Sequence, residues 1–375
     1  MNPESYRTEF PHIEEGIIYL NHAAVSPMSN RVREALEHFM DHRQVTNIEF
    51  WPNGLEEKQA LKADLAKLLH LPAEQFAIVP NTSTGLNILA QGLSWKPGDR
   101  ILLNNFEFPA NVYPFLNLER KGVVVDFVPH RDGRILLEDI EAAIRPETRL
   151  LSISFVEFLN GFKNDLYAIG ELCKQHNIWF AVDGIQGIGV QTLDVTAAGI
   201  DFLAVGGQKW LMWPLGTAFI WISERLFPHL HPAFLGWLAV EDSWNFFDYR
   251  MDLLPDAGRF EPGTMNVMGI IGARAAMQPF LELGIETIER HLLQLTDYLA
   301  DELQAMGFSL LSDRSAKHRS QIVTFRTDNG EALFQALQEH NIRVSLREGN
   351  IRVSPHFYNT REEIDQFLQV LKKLK

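Results

Sequence analysis

The sequence predicts an α/β fold, in which helices wrap a mainly parallel central sheet and a smaller α+β domain completes the chain. Two observations support this fold class. Continuous apolar runs at 123–128, 150–156 and 178–182 are typical of strands that are buried on both faces. Helical patterns at 136–144 and 166–176 lie between these runs. Because strands and helices alternate, a parallel sheet covered by helices is the expected architecture.

The other elements follow from periodicity and from turn residues. The polar residues 1–16 predict an arm that packs on the body of the protein. In chain order we expect a short strand from 17, helices at 31–43 and 56–70, strands at 76–80, 100–105 and 217–222, an irregular stretch at 229–263, helices at 266–283 and 285–306, a strand at 320–325, a helix at 331–340, short strands around 344 and 351, and a last helix from 361. These elements divide into a large domain, 17–255, and a small domain formed by 1–16 and 256–375.

Composition narrows the function classes. With 375 residues, 46% of them hydrophobic, the chain can bury a large core. A net charge of -14 argues against nucleic acid or an anionic membrane as the main partner, so a small-molecule enzyme fits better. The one cysteine, Cys173, lies in a helical pattern and is expected to be a packing residue. No apolar run is long enough to span a bilayer, and we expect a cytoplasmic protein without a metal site.

A lysine and an acid stand at the ends of two apolar strands. Lys209 is flanked by apolar residues on both sides, and the resulting desolvation lowers the pKa of a lysine toward the range in which its amine is nucleophilic. Asp183 closes the strand 179–183, where a carboxylate can keep a pyridinium nitrogen protonated, and Gln186 can donate to a ring hydroxyl. Such residues are what pyridoxal 5'-phosphate (PLP) requires of a protein. Taken singly, Asp183 could cap a turn and Lys209 could extend to the surface.

A polar turn at 81–84 opens directly into a helical pattern. The free N–H groups of a helix start favour an anion, and small hydroxyl residues such as Thr82 and Ser83 leave room for a phosphate. An ordinary helix cap is the alternative, because Asn, Ser and Thr are favoured there in any case.

The pattern Asp183-x-x-Gln186 followed by Gly-Gly-Gln208-Lys209 resembles the PLP-binding core of the class V aminotransferase family, which includes cysteine desulfurases, kynureninases and isopenicillin N epimerase-like enzymes. The resemblance implies PLP-dependent transferase fold type I, with Lys209 as the catalytic lysine that forms the Schiff base. It also makes Asp183 the partner of the pyridinium nitrogen and Gln186 the neighbour of the phenolic oxygen. The family often has Ser-x-His-Lys where this chain has Gly-Gly-Gln208-Lys209. Here Gln208 could still donate to the phosphate.

The resemblance assigns further cofactor contacts. It implies that Thr82 and Ser83 belong to the phosphate loop and that Phe108 stacks on the pyridine face, where the family often has histidine. A core phenylalanine is the alternative. The motif Phe-Glu-x-Gly-Thr ends at Thr264, whose hydroxyl would reach the phosphate of a neighbouring subunit, so a homodimer is expected. A helix cap is the alternative for Thr264.

Substrate contacts are implied at three residues. Arg352, in a motif similar to the C-terminal motif of the family, would pair with a substrate α-carboxylate, because a planar guanidinium binds it through two hydrogen bonds. A solvated strand arginine is the alternative. Asn21 and His22 lie in a turn that edges the substrate pocket in the family, or they are a turn asparagine and a solvated histidine.

The expected function is therefore aminotransferase or lyase chemistry on an α-amino acid. An epimerase of the isopenicillin N epimerase type and a non-catalytic PLP-binding protein remain as alternatives. Cysteine desulfurase is disfavoured, because the mechanism of those relatives requires a loop cysteine and 344–350 contains none. Phe158, where desulfurases tend to carry asparagine, predicts a more apolar pocket. The glycines at 184, 187 and 189 do not match a dinucleotide-binding fingerprint.

Overall fold

A computed structural model describes residues 3–374 of the chain. Within these residues the strands are β1 (Ile18–Tyr19), β2 (Phe76–Val79), β3 (Arg100–Asn104), β4 (Val124–Val128), β5 (Thr148–Ser154), β6 (Trp179–Asp183), β7 (Phe202–Gly206), β8 (Ala218–Ile222), β9 (Val323–Phe325), β10 (Ile342–Arg343), β11 (Ser345–Arg347) and β12 (Asn350–Val353). The α-helices are α1 (Asn30–Val45), α2 (Trp51–Leu69), α3 (Thr82–Gly92), α4 (Tyr113–Leu116), α5 (Leu137–Ala143), α6 (Leu166–Gln175), α7 (Val267–Leu283), α8 (Ile285–Ala305), α9 (Gly330–Glu339) and α10 (Arg361–Leu374).

The central sheet has seven strands in the order β2-β8-β7-β6-β5-β3-β4. Strands β4, β3, β5, β6 and β7 run parallel, whereas β8 is antiparallel to both of its neighbours. The predicted α/β class with a mainly parallel sheet is therefore confirmed. Because the parallel strands point the same way, the loops that follow β3, β5, β6 and β7 meet at one edge of the sheet, where α/β proteins bind ligands.

Helices cover both faces of this sheet. Leu86 and Leu89 of α3 pack in one apolar cluster with Ile220 of β8. Ile169 of α6 packs with Phe180 of β6 in a different cluster, on the opposite face. Adjacent residues of a strand point to opposite faces, so a continuous apolar run such as 179–182 serves both layers.

One expectation about burial was wrong. The run 123–128 was expected to be buried on both faces, but β4 is the edge strand of the sheet and beyond it lies solvent. Val124 and Phe127 are 37% and 40% exposed. An apolar run indicates a strand, but it does not say whether the strand lies in the middle or at the margin of the sheet.

The smaller α+β part contains an antiparallel sheet in the order β11-β12-β9, flanked by helices such as α8 and α10. Strand β1 joins it through a parallel pair with β10. The N-terminal arm also packs there, because the ring of Phe10 stacks on that of Tyr358 with centroids 3.8 Å apart. The division into 17–255 and the combined segments 1–16 and 256–375 stays a prediction. No helix in residues 3–374 has the length and apolar character required to cross a membrane.

Candidate active site

A cavity of about 290 Å³ lies at the edge of the sheet where β6 and β7 end. It brings together eight of the residues predicted from the sequence: Thr82, Ser83, Phe108, Asp183, Gln186, Gln208, Lys209 and Arg352. Ala23, Ala24, Asn81, Ala110, Phe158, Ile185 and Arg347 complete the lining. Residues that are up to 329 positions apart along the chain thus share one small space, and this space is the candidate active site.

Lys209 follows β7 by three residues and extends into the cavity. Burial lowers the pKa of its ammonium group to about 8, and the positive charge of Arg352 adds to this effect. The Asp183 carboxylate opposes the shift. The ammonium nitrogen lies 5.5 Å from the centre of the Phe108 ring. About a tenth of this lysine is therefore a free amine at pH 7, far more than for an unperturbed lysine, and a free amine is what a nucleophile or general base requires.

Asp183 is the last residue of β6 and is 2% exposed. Its Oδ1 accepts the backbone N–H of Ile185 at 3.0 Å, which fixes the carboxyl group. Burial raises the pKa of Asp183 to about 6, although this hydrogen bond and the charge of Lys209 act in the other direction. A buried carboxyl group with a raised pKa gains by facing a protonated ring nitrogen, which supplies the missing positive charge.

Gln186 is held at both ends of its amide. Its Nε2 donates to the carbonyl oxygen of Ala23 at 3.0 Å, and its Oε1 accepts the indole N–H of Trp210 at 2.7 Å. An amide nitrogen carries two hydrogens, so one N–H of Gln186 remains for a ligand in the cavity. This orientation suits a donor to a ring oxygen.

The start of α3 offers a site for an anion. Asn81 caps this helix by accepting the Thr84 N–H at 2.8 Å, so the cap and the anion site are different residues. The buried hydroxyl of Thr82 has no hydrogen-bond partner. A Cβ placed on Gly206 would lie 2.9 Å from that hydroxyl oxygen and 2.7 Å from Oε1 of Gln208, so only glycine leaves this space open. An unpaired hydroxyl, the first N–H groups of a helix and a glycine-lined space together fit the phosphate of PLP.

Arg352 lies in β12 and is 1% exposed. Its Nη1 donates to the carbonyl oxygen of Phe158, and its Nη2 donates to Oγ of Ser345 at 3.3 Å. Its Nε is buried and has no partner. Burial and the charge of Arg347 lower its pKa to about 9. The group therefore lacks a carboxylate, and a substrate α-carboxylate would supply one.

Asn21 and His22 lie outside the cavity. The imidazole of His22 is fully buried, with Nδ1 2.9 Å from the Ser354 carbonyl oxygen and Nε2 2.9 Å from the Tyr358 hydroxyl, and burial lowers its pKa well below the usual value. Both the predicted substrate contact and the solvated alternative are thus corrected for His22. Oδ1 of Asn21 accepts the hydroxyl of Ser345. Since Ser345 in turn accepts from Arg352, Asn21 supports the arginine from behind.

Thr264 lies in a second cavity of about 310 Å³, lined also by Lys58, Thr84 and Glu261. It is exposed and does not reach the Lys209 cavity of its own chain. The cap of α7 is Asn266, whose Oδ1 accepts the Gly269 N–H at 3.0 Å. Asn266, and not Thr264, is therefore the cap of this helix. The contact of Thr264 across an interface stays a prediction.

Two buried acids behind the cavity were missed in the sequence. Glu157 is fully buried, and Glu107 is 8% exposed. Glu107 accepts the N–H and the hydroxyl of Ser154, each at 2.6 Å, and Glu157 accepts the Asn164 amide at 2.9 Å. Burial is the main cause that raises the pKa of Glu107 to about 7 and that of Glu157 well above its usual value. An acid at the end of an apolar strand, as in Phe-Val-Glu157-Phe, was the available signal.

Cys173 is 1% exposed on α6, and burial raises the pKa of its thiol to about 12. Its prediction as a packing residue is confirmed. Among residues 3–374, no group of three or more His, Cys, Asp or Glu side chains is arranged to hold a metal ion.

Comparison with known proteins identifies relatives along nearly the whole chain. The family model described as aminotransferase class-V matches residues 18–367. A probable cysteine desulfurase of Xylella fastidiosa is 30% identical over 99% of this chain and 95% of its own, and an uncharacterised aminotransferase of Bacillus subtilis is 27% identical over 96% and 95%. The apo structure of a cysteine desulfurase from Thermococcus onnurineus superposes with a TM-score of 0.90 at 25% identity, covering 100% of this chain and 98% of the other.

These comparisons confirm the predicted fold type I, the PLP cofactor and the general enzyme class of transferase or lyase. They do not support the prediction that disfavoured cysteine desulfurase, since relatives over the full length carry that name. The missing loop cysteine is a fact of the sequence, but it does not exclude a sulfur-containing substrate.

Proposed function

Because this chain belongs to the class V aminotransferase family and is a PLP-dependent enzyme, we propose that Lys209 carries the cofactor and that the cavity acts at Cα of an α-amino acid. The observation that carries the proposal is that Lys209 and Asp183 line one cavity and interact electrostatically there. Burial lowers the pKa of the lysine to about 8 and raises that of the acid to about 6. Groups shifted this way are a common mark of catalytic sites.

When bound, PLP supplies an electron sink for negative charge at the substrate Cα. The residues of the chain then have separate tasks. Asp183 holds a proton at the ring nitrogen, and Gln186 donates to the ring oxygen. Thr82, Ser83 and the start of α3 bind the phosphate, with Gln208 beside them. Phe108 packs on the ring face.

Substrate binding and proton transfer fall to two basic residues. Arg352 binds the α-carboxylate, because its guanidinium lies in the cavity without an acidic partner. The amine of Lys209 takes the Cα proton as general base. The aromatic wall of Phe108 and Phe158 neither donates nor accepts protons, so proton transfer in the cavity rests on Lys209.

The reaction that follows is an aminotransferase or a lyase step. The names of the relatives add C–S bond cleavage of cysteine to the candidate lyase reactions. An epimerase and a non-catalytic PLP-binding protein are the rivals.

We also propose a homodimer in which Thr264 reaches the site of the partner subunit. The exposed side chains of Trp244, Phe247, Tyr249 and Met251 support it, since exposed apolar patches mark interfaces. A cytoplasmic location is likewise a proposal, which cell fractionation would test.

The test uses the purified protein loaded with PLP. Cysteine, cystine and the common amino acids are supplied singly, with sulfide, pyruvate, keto acid and inverted enantiomer measured in parallel. Turnover that Lys209→Ala abolishes supports an enzyme, and the product identifies the reaction. Lys174→Ala, at an exposed lysine of α6, is the matched control. If Lys209→Ala keeps the cofactor through borohydride treatment and dialysis as the wild type does, the proposal is wrong.

A further inference from the structure

The candidate active site contains a second arginine without an acidic partner. Arg347 ends β11 and lines the same cavity as Arg352. The one hydrogen bond of its side chain to the described residues, at 3.4 Å, runs from Nη1 to the neighbouring carbonyl oxygen of Leu346. Neither guanidinium forms an ion pair with a carboxylate of residues 3–374. Two guanidinium groups thus face one small space.

The charges in this space do not balance. Asp183 is the one carboxylate among the lining residues, which all belong to the described part of the chain, and its role lies with Lys209 and the ring nitrogen. The positive charge of Arg347 lowers the pKa of both Lys209 and Arg352, which places all three within electrostatic reach of one another. With the cofactor phosphate held at the start of α3, two positive charges remain on the side of the cavity where a substrate would bind.

The two arginines are built differently. Arg352 is buried and is fixed by the Phe158 carbonyl oxygen and the Ser345 hydroxyl. Arg347 is exposed and stands beside the two-residue turn Glu348–Gly349, where both residues have positive φ, +46° and +75°. Such a turn makes a tight hairpin, so the backbone of Arg347 is held at the cavity mouth. Its side chain is free to follow substrate groups at different distances.

We propose that Arg347 binds a second carboxylate, carried on the substrate side chain, while Arg352 binds the α-carboxylate. The substrate class is then an amino acid with two acidic groups. This inference rests on the proposed function, since it takes the Lys209 cavity as the substrate site. The physical reason is that a guanidinium pairs with a carboxylate through parallel hydrogen bonds and that a neutral side chain would leave the second charge uncompensated.

Binding of unreactive acids to the PLP-loaded protein tests the proposal without relying on turnover. Succinate and glutarate are titrated by calorimetry against butyrate, which has one carboxylate. The wild type is expected to bind the better dicarboxylate about ten times more tightly than butyrate. Arg347→Ala should lose most of this difference and leave butyrate binding within a factor of two. Arg347→Lys should retain part of it.

Arg326→Ala, at another exposed arginine of the smaller domain, is the matched control and should change neither affinity. An equal loss of dicarboxylate and butyrate binding in Arg347→Ala would mean that Arg347 shares the α-carboxylate, and the proposal would be wrong. It would also be wrong if the wild type showed no preference for two carboxylates. Failure of the proposed function would give a different result, because Lys209→Ala would then keep its cofactor through borohydride treatment and dialysis.

Discussion

Glu107 and Glu157 share one hydrogen-bond donor, the side-chain amide of Asn104, which lies 2.8 Å from Oε1 of the first and 3.2 Å from Oε1 of the second. Each acid immediately precedes an aromatic residue that lines the cavity. The rings of Phe108 and Phe158 meet edge to face with centroids 5.3 Å apart. The carbonyl oxygen of Phe158 also accepts from Arg352. The acid pair therefore anchors the aromatic wall and, through it, the arginine.

Because of this acid pair, we expect the stability of the protein to depend on pH. We also expect one substitution to reduce that dependence. The charge of Glu107 raises the pKa of Glu157, and Asp183 raises the pKa of both, while Ser154, Asn104 and Asn164 donate to them. A pKa raised from 4.5 to about 7 means that the folded protein holds a proton more tightly than the unfolded chain. Stability from Glu107 is thus fully present below pH 4.5 and is lost as the pH rises through 7, by on the order of 3 kcal/mol.

Glu157→Gln removes one of the two buried titrating groups and keeps an oxygen that accepts from both asparagines. The free energy of unfolding of the apo protein should then fall less between pH 5 and 8 than in the wild type, by about 1–3 kcal/mol. Urea denaturation across this range measures it. Glu224→Gln, at an exposed glutamate, is the control and should behave as the wild type. A variant whose stability declines with pH as steeply as that of the wild type would contradict the coupling of the two acids.

We expect replacement of Thr82 to have opposite effects on the stability of the apo protein and on its affinity for the cofactor. Its buried hydroxyl lacks a partner, so Thr82→Val, which keeps the shape, removes an unsatisfied group. The apo protein should be as stable as the wild type or more stable, by up to about 1–2 kcal/mol. The affinity for PLP should fall about tenfold, because a hydrogen bond to the phosphate is lost. Thr82→Ser, which keeps the hydroxyl, should preserve the affinity. Equal affinities in Thr82→Val and the wild type would remove Thr82 from the phosphate site.

Part of the candidate site could be predicted from local signals in the sequence. Lys209, Asp183 and Thr82 could be identified because each interrupts an apolar run or opens a helix, and such local signals survive without knowledge of the fold. The parallel sheet then had to bring them together, since strand ends meet at one edge.

Other features depend on contacts between distant parts of the chain, which no local pattern encodes. The burial of His22 follows from packing against Ser354 and Tyr358, more than 330 positions away. The place of β4 at the sheet margin follows from strand order. The pairing of Glu107 with Glu157 follows from the adjacency of β3 and β5, which the local signal of one acid near a strand end does not encode.

The amine of Lys209 predicts the pH dependence of cofactor attachment. A pKa lowered to about 8 means that the free amine predominates above that pH and disappears below it. The rate at which apo protein attaches PLP should therefore rise with pH and become half-maximal near 8, as followed by stopped-flow absorbance. Asp183→Asn removes the negative charge that raises this pKa, so its midpoint should shift to lower pH. A wild-type midpoint near 10 would show that the amine is not desolvated.

We expect Phe108 to contribute to PLP binding through its aromatic ring alone. It is 44% exposed, and its ring centre lies 5.5 Å from the Lys209 nitrogen. Phe108→Ala should leave stability nearly unchanged but weaken PLP binding by about 1 kcal/mol, or roughly fivefold, because the stacking partner is lost. Phe108→His and Phe108→Tyr keep a ring and should retain most of the affinity in equilibrium dialysis. If all three variants bind alike, Phe108 does not stack on the cofactor.

If Thr264 reaches the site of the partner subunit, two variants that are each defective in PLP binding should complement one another in a mixed dimer. Lys209→Ala removes the attachment point, and Thr264→Ala removes a hydroxyl proposed to serve the other subunit. In a mixed dimer, the subunit that retains Lys209 would receive an intact Thr264 from its partner, so one complete site forms. Dimers are unfolded together, refolded and separated by two affinity tags, and their PLP content and affinity are measured. The hybrid should bind one PLP per dimer with wild-type affinity. If Thr264 acted within its own chain, no site of the hybrid would contain both residues, and affinity would stay at the level of the Thr264→Ala parent.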